Sequence, residues 1–344
     1  MNTSTVTRFT AVVLLAASTP AIAAVTQRDA RAADGRTAWY ERYVEARQGG
    51  QQTDRVSETF RVGDGGALDL ENLSGDVEVT GGDGQDIRVE AVKRVRARGG
   101  DADRLLEALR VDIRRVGDRI EVRTQYPRST GRDVSASVAY TVTVPSGASV
   151  AVKTVSGDVR VLRVAGEVRA ESVSGNVEVT GTPNLATAKS VSGNVTARDI
   201  GSRTTLSLGS VSGDVVARNL KVRTLEAGSV SGDLDLVDLE VERLEAKSVS
   251  GNVEFTGALA RGGRYELSSH SGDIRLHLAS DTGFELDANS FSGSIRSDLP
   301  ITMRSDGGRG RRSRSNQSIR GSYGDASAIL SVRSFSGSVV IARR

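Results

Sequence analysis

The side chains with the most regular spacing that could bind a ligand are acids and amides that follow a repeated Ser-Gly pair. Their oxygens could either bind a row of cations or accept hydrogen bonds from backbone amides. Calcium needs about six to eight oxygen ligands, and one side chain per repeat supplies too few. We therefore expect the backbone hydrogen bonding that Asx turns make. The column consists of Asp158, Asn176, Asn194, Asp214, Asp233, Asn252, Asp273 and Ser294.

Side chains suited to catalysis are scarce. The sequence has two histidines and no cysteine. His270 takes the place of valine in a column that we predict to face inward, so we expect a hydrogen-bonded core residue rather than a general base. His277 follows the inward Leu276 and is predicted to point outward. No G-x-S-x-G elbow, phosphate-binding loop or dinucleotide fingerprint occurs, so we expect no catalytic residues, no metal and no cofactor.

One enzymatic alternative is a polysaccharide lyase or hydrolase, because some β-helices carry such sites. These enzymes place paired carboxylates in a groove where the sugar chain lies. Here the repeats leave little room for long loops, and aromatic residues make up only 4% of the chain. The acids on the repeats therefore indicate a solvated face rather than a catalytic pair. They are Asp235, Glu240, Glu242 and Glu254.

Arginines are concentrated between residues 304 and 320. This segment has six arginines and a single acidic residue, Asp306. The formal net charge of the whole chain is +3, so this segment is basic while the rest is mildly acidic. We expect a flexible Arg/Gly/Ser loop over residues 304–322; alternatively, it contacts an anionic glycolipid or polysaccharide. No aromatic residue lies among the arginines, so nucleic-acid binding is not expected. The candidate anion contacts are Arg309, Arg311, Arg312 and Arg314.

The elements that carry these residues are short and repeated. Ser-Gly recurs from Gly157 to Gly293 at intervals of 18 to 21 residues, with further copies at Gly75 and Gly337. On both sides of the pair apolar and polar residues alternate, which predicts β-strands. The parity of the alternation changes inside each unit, so we place a corner at the Ser-Val junction, with glycine just after it.

Aligned on this period, like residues fall above one another, as expected for an all-β parallel β-helix of ~18–21-residue coils about 4.8 Å apart. We predict three inward columns. The first is Val155, Val173, Val191, Val211, Val230, Val249, His270 and Phe291; the second is Val159, Val177, Val195, Val215, Leu234, Val253, Ile274 and Ile295; the third is Ala170, Ala188, Leu208, Ala227, Ala246, Leu267 and Ala288.

The N-terminus is typical of a secretory signal. Arg8 is followed by the apolar run 9–17 and by Ala21-Ile22-Ala23, a small-residue cleavage site. We predict a signal peptide over 1–23 and a polar leader over 24–57 that is either disordered or a marginal helix. No later stretch is apolar enough to span a membrane. We therefore expect an exported protein, located in the periplasm, at the cell surface or outside the cell.

The remainder divides into two sections. Residues 58–148 are strand-like but irregular, with an early coil near Gly75 and a short helix near 101–109 that has acids in its first turn. We predict that this section caps the rod, because an open coil leaves an unpaired edge. Residues 149–344 are predicted to form the solenoid repeats.

The Val-Ser-Gly-Asn/Asp-Val repeat behind a signal peptide resembles a bacterial family of exported proteins with a domain of unknown function, described as "putative adhesins" with β-strand repeats. The resemblance extends to Gly81-Gly82-Asp83-Gly84, to the helix near 102–109 and to the run from Tyr140 to Pro145. It covers roughly residues 58–344. It implies an exported, right-handed parallel β-helix with a surface or envelope binding role, and it supplies no catalytic residues.

These patterns lead us to expect a non-enzymatic, adhesin-like binding protein of the cell envelope or surface. Its partner would be an envelope polymer, a glycan or another protein. The alternative is a structural or regulatory scaffold of the envelope, which would co-purify with envelope proteins rather than hold an external ligand.

Overall fold

The computed structural model describes residues 50–63, 65–97, 101–127, 134–279, 282–303 and 317–344. Within these ranges the strands join in one continuous sheet, accompanied by helix α1 (Asp101–Ala108), so the all-β prediction is confirmed. The strands are β1 (Gly50–Arg61), β2 (Ala67–Ser74), β3 (Val77–Gly82), β4 (Asp86–Ala97), β5 (Arg110–Val116), β6 (Arg119–Gln125), β7 (Ser135–Pro145), β8 (Ser149–Ser156), β9 (Val159–Leu162), β10 (Val168–Ser174), β11 (Val177–Thr180), β12 (Leu185–Ser190), β13 (Val195–Ser210), β14 (Val215–Ser229), β15 (Leu234–Ser250), β16 (Val253–Gly257), β17 (Arg264–Ser271), β18 (Ile274–Leu278), β19 (Phe284–Ser290), β20 (Ile295–Ser297), β21 (Thr302–Met303), β22 (Gln317–Tyr323), β23 (Ala328–Ser336) and β24 (Val339–Arg343).

The middle of the chain winds as a solenoid of stacked coils. From β8 to β18 each coil pairs in parallel with the next, so that Val177 lies beside Val195 and Val195 beside Val215. The spacing of the Ser-Gly pairs thus sets the register of the stack. No helix in the described ranges is long and apolar enough to cross a membrane.

Two of the three predicted apolar columns form the core. From Val159 to Ile274 the second column is at most 1% exposed, but its last predicted member, Ile295 in the outermost coil, is only partly buried. The column from Ala170 to Ala288 is at most 4% exposed. Each coil buries these side chains against the coils above and below, which is why no coil would be stable alone. The remaining column, which begins at Val155, was predicted to face inward and instead faces solvent.

At both ends of the rod the coils do not follow the order of the sequence. The early coil of β2 and β3 lies between the coil of β8 and β9 and an outer coil of β6 and β7. At the other end β23 pairs with both β17 and β19, so the coil at Gly337 is inserted between those at Gly272 and Gly293. The outermost coil at each end therefore comes from an internal part of the chain.

Antiparallel strands cover the N-terminal end. β4 pairs with β7, β1 pairs with β4, and β5 forms a hairpin with β6 around Gly117. Lys93 Nζ lies 2.5 Å from Asp54 Oδ2 and ties β4 to β1. The polar leader predicted over 24–57 therefore ends too late, because residues 50–57 belong to β1. The rest of it, and the predicted signal peptide, lie outside the described residues.

An antiparallel strand also covers the C-terminal end. β22 pairs with β19 along its whole length, and β21 pairs with β22. The loop predicted over 304–322 is therefore wrong for 317–322, because the outermost coil needs a strand to pair its open edge. The four candidate anion contacts, Arg309, Arg311, Arg312 and Arg314, lie outside the described residues.

A polar network joins the cap to the first coils. The Tyr140 hydroxyl lies 2.6 Å from Thr124 Oγ1, which donates to Asn72 Oδ1. The Tyr126 hydroxyl also interacts with Asn72 Oδ1 at 2.9 Å and contacts the Ser74 carbonyl at 2.7 Å. Burial raises the pKa of Tyr126 and of Tyr140, because phenolate would lose its hydration there.

Candidate functional site: an apolar stripe beside a structural corner

The glycine of each repeat is required by the close approach of successive coils. A Cβ on Gly232 would lie 2.2 Å from the Gly213 carbonyl oxygen, and a Cβ on Gly213 would lie 2.3 Å from that of Gly193. A side chain here would collide with backbone, which cannot rotate away. Glycine is therefore present for steric reasons along the whole column, not for ligand binding.

The serine three residues before each of these glycines is also structural. It points inward and donates a hydrogen bond to the glycine carbonyl of the preceding coil, as Ser229 Oγ does to Gly213 O at 2.9 Å. Buried hydroxyls need such partners, because an unpaired one costs about 1–3 kcal/mol. The same bond is made by Ser172, Ser190, Ser210, Ser248, Ser269, Ser290 and Ser334.

Thr154 breaks this pattern for a local reason. Its hydroxyl would reach the Gly75 carbonyl, but Asn72 Nδ2 donates to that oxygen at 3.0 Å. Among the described residues Thr154 Oγ1 is the one buried side-chain polar atom without a hydrogen-bond partner. At the junction with the cap, the hydrogen bond from Asn72 therefore takes the place of the bond that a serine makes in the other coils.

The acids and amides after the glycine form a second ladder of hydrogen bonds. Asp158 Oδ1 accepts from the backbone amide of Asn176 at 2.8 Å, and Asn176 Oδ1 accepts from that of Asn194 at 2.9 Å. The ladder runs on through Asp214, Asp233, Asn252 and Asp273 to the amide of Ser338. The acceptor oxygens bind backbone amides, as predicted, but these amides lie in the next coil and not in the same turn, so the expectation of Asx turns is wrong. The last member of the column, Ser294, donates instead to the Ser338 hydroxyl.

Between the inward serine and the glycine stands a residue that the fold does not bury. Val230 is 45% exposed although Ser229 before it and Leu234 after it are buried. Val230, Ser231 and Asp233 all point outward at the corner, and the chain turns inward again at Leu234. Our prediction placed the corner at the Ser-Val junction alone. It is wrong because the corner extends over several outward residues, so the valine column faces solvent. The same correction applies to His270, which is exposed.

Stacking converts these residues into one surface feature, which we call the apolar stripe. Its apolar members are 43–48% exposed. With a coil spacing of about 4.8 Å the ten rungs extend over about 43 Å. In the order of the stack the rungs are Leu73, Val155, Val173, Val191, Val211, Val230, Val249, His270, Phe335 and Phe291.

The stripe changes character along the rod. Seven aliphatic rungs lead to three stacked rings: His270 and Phe335 have centroids 4.8 Å apart, as do Phe335 and Phe291. The ring planes are tilted by only 8° and 5°. One end of the stripe is therefore narrow and aliphatic and the other is broad and aromatic.

A second column, which we call the flank, runs beside the stripe two residues earlier in each coil. A groove of about 660 Å³ lies between them and is lined by Val155, Val173, Val191 and Val211 on one wall. The flank carries charges of both signs near the ends and two glycines in the middle. Its members are Glu71, Lys153, Glu171, Lys189, Gly209, Gly228, Lys247, Ser268, Arg333 and Asn289.

Comparison with known proteins places this architecture in a family. A model of the Toastrack DUF4097 family matches residues 67–342, from the first coil to the last strand. The chain belongs to the Toastrack DUF4097 family. No curated protein sequence matches it significantly.

Solved structures similar to this Toastrack DUF4097 chain come from bacteria, and each match covers 84% of this chain. A "putative adhesin" from Bacteroides fragilis NCTC 9343 is 12% identical, with a TM-score of 0.40 over 97% of its chain. A "putative lipid binding protein" from Parabacteroides distasonis ATCC 8503 is 13% identical, with a TM-score of 0.40 over 96% of its chain. A "putative cell adhesion protein" from Clostridium sporogenes ATCC 15579 is 11% identical, with a TM-score of 0.23 over 99% of its chain.

The other residues singled out in the sequence of this Toastrack DUF4097 chain do not come together. His277 is outward, as predicted, and its Nε2 lies 3.7 Å from Glu254 Oε1. Asp235, Glu240 and Glu242 each pair with a cation of the neighbouring coil, at 2.8, 2.7 and 3.7 Å. Within the described ranges no group of three or more His, Cys, Asp or Glu side chains could hold a metal ion.

Proposed function

We propose that this chain is an exported, non-enzymatic binding protein of the cell envelope or surface that holds its partner along the apolar stripe. The observation that carries the proposal is the contrast inside the repeat. Glycine, the inward serine and the acid or amide each make a contact with the backbone of a neighbouring coil, whereas the side chain of the stripe residue is left nearly half exposed. A continuous exposed apolar row of this length is unusual on a protein that works alone and is typical of an interaction site.

The shape of the surface favours an elongated partner. The groove and the stripe follow the rod axis, and the chemistry along them repeats from coil to coil. An envelope polymer, a glycan or the edge of another protein can contact several rungs at once, so that weak contacts add. The partner would be bound mainly by apolar contact, with the flank charges setting its position.

The arrangement of the polar side chains supports a role without catalysis. His270 stacks on Phe335 instead of approaching a nucleophile or a carboxylate pair. The acids of the repeat are engaged in backbone ladders or in ion pairs across neighbouring coils. We also propose that the solenoid is a right-handed parallel β-helix, in keeping with the parallel pairing from β8 to β18.

The test is a binding screen of the purified protein on an array of glycans, envelope polymers and envelope proteins at two salt concentrations. A V173K/V191K variant and a variant without residues 304–316, which leaves strand β22 in place, are measured beside it. We expect saturable binding that survives salt and the deletion but is lost with the two lysines, because these place charge in the groove.

Three results would contradict the proposal. Binding that disappears with the deletion or with salt would place the contact on the arginine segment. Binding unaffected by V173K/V191K would remove the stripe from the site. Turnover of an acidic polysaccharide would show that the protein is an enzyme.

A further inference from the structure

The spacing of the apolar stripe restricts what can lie along it in register. Rungs recur about every 4.8 Å, whereas an extended peptide presents side chains on one face about every 6.6–6.8 Å. An α-helix presents them about every 5.4 Å, one turn at a time. Over ten rungs either partner would drift out of step. The edge of another stack of coils has the same repeat and stays in step, as the paired sheets of steric zippers do.

We infer that the stripe binds a second copy of this chain, side by side and antiparallel, with Val211 of both copies at the two-fold axis. The inference rests on the proposed function, since both place binding on the stripe, and it names the partner. The same patch on both copies would meet, which is the commonest symmetry of protein dimers.

The flank charges select this orientation and register. With Val211 on the axis, Glu71 lies opposite Arg333 and Glu171 opposite Lys247, and symmetry makes each pair twice. No like charges of the flank are opposed. The remaining opposed positions are Lys153 with Ser268, Lys189 with Gly228, and Gly209 with itself.

Neighbouring alignments are less favourable. A two-fold axis between Val211 and Val230 sets Lys189 against Lys247 and Lys153 against Arg333. A parallel arrangement sets each flank against the exposed serines of the partner and pairs none of its charges. Complementary charge of this kind fixes register and excludes wrong partners more than it adds affinity.

The shape of the surface agrees with the same axis. Gly209 and Gly228 leave the flank without side chains at the centre, although a Cβ at either position would meet no atom closer than 3.6 Å. The fold therefore does not require glycine there, whereas two rods meeting at this point do benefit from the open space. Farther out, the aliphatic Leu73 lies opposite the aromatic Phe335, so that a broad rung meets a narrow one.

Cysteine cross-linking tests the geometry directly, because the chain has no cysteine of its own. V211C is expected to form disulfide dimers with itself. V173C and V249C are expected to cross-link only when the two variants are mixed, since these rungs oppose each other. V216C, an outward residue of another face, serves as the control and should stay monomeric. Self-cross-linking of V173C as strong as that of V211C would overturn the antiparallel arrangement, and no cross-linking of any stripe variant would overturn the dimer.

A charge swap tests the register independently by sedimentation equilibrium. E171K alone and K247E alone are each expected to weaken dimerisation about tenfold, because each sets like charges opposite one another twice. E171K combined with K247E should restore dimerisation to within about threefold of the original. A double variant as weak as the single ones would overturn the register. If the binding screen finds a stripe-dependent partner while every dimer test fails, this inference falls and the proposed function stands.

Discussion

Gly213 and Val211 stand two residues apart in the same repeat and illustrate two different causes of periodicity. The glycine column recurs because a Cβ would strike the carbonyl of the preceding coil. The valine column recurs although it is about 44% exposed and is not needed to fill the core. A regular pattern in a solenoid therefore does not by itself indicate burial. Residues that the stack requires and residues that the surface presents have the same period, because both occur once per coil.

The largest expected effect tests the steric role of the glycine column. Gly213→Ala should destabilise the protein by about 3 kcal/mol or more, since the new methyl group lies 2.3 Å from backbone that cannot give way. Gly209→Ala in the same coil is the control. Its Cβ meets nothing closer than 3.7 Å, so stability should stay level or rise by up to about 1 kcal/mol. Urea unfolding measures both, and similar losses for the two variants would contradict the steric explanation.

A smaller effect is expected from the buried serine ladder. Ser229→Ala leaves the Gly213 carbonyl without its hydrogen bond and should cost about 1–2 kcal/mol. The exposed Ser231→Ala should change stability by less than about 0.5 kcal/mol. Thermal unfolding of the two variants side by side checks this difference. Equal melting temperatures would mean that the inward hydroxyl is not structural.

The buried tyrosines of the cap network add a pH dependence to stability, as the buried Tyr265 of the solenoid also does. In the unfolded chain the pKa of tyrosine is about 10, whereas burial raises the pKa of Tyr126 and of Tyr140 in the folded chain. Below pH 10 both states keep these protons and stability is unaffected. Above it the unfolded chain releases them first, so stability should fall as the pH rises, by up to about 1.4 kcal/mol per pH unit for Tyr140. Denaturant unfolding between pH 8 and 11 should show a shallower fall for Tyr140→Phe; an unchanged slope would contradict this.

Much of the fold could be predicted from the sequence, because local pairing rules determine it. The spacing of Ser-Gly predicts the coils, and the columns from Val159 and from Ala170 are buried as expected except at Ile295 in the outermost coil. The swapped order of the end coils could not be predicted, since the repeat at Gly337 is equally compatible with either neighbour. The strand at 317–322 was missed because its composition is that of a loop, and only the open edge of β19 explains it.

The candidate site was misplaced for a definable reason. Val155 and its counterparts share parity with the buried Val159, so alternation alone assigns them to the core. One feature of the sequence indicates an exposed column: His270 and the bulky Phe291 occupy the same column as the smaller valines. A tightly packed interior rarely accepts such changes of size and polarity at a single position, whereas an exposed row accepts them.

The most direct test of the central claim separates folding from binding on the stripe itself. V211K/V230K places two charges on the middle rungs, and V216K/V237K places them on outward valines of another face. Unfolding and partner binding, including self-association, are measured for both variants. We expect both to unfold within about 1 kcal/mol of the original protein, and only V211K/V230K to lose binding. Equal binding by the two variants, or unfolding of V211K/V230K alone, would contradict a stripe that serves binding rather than the fold.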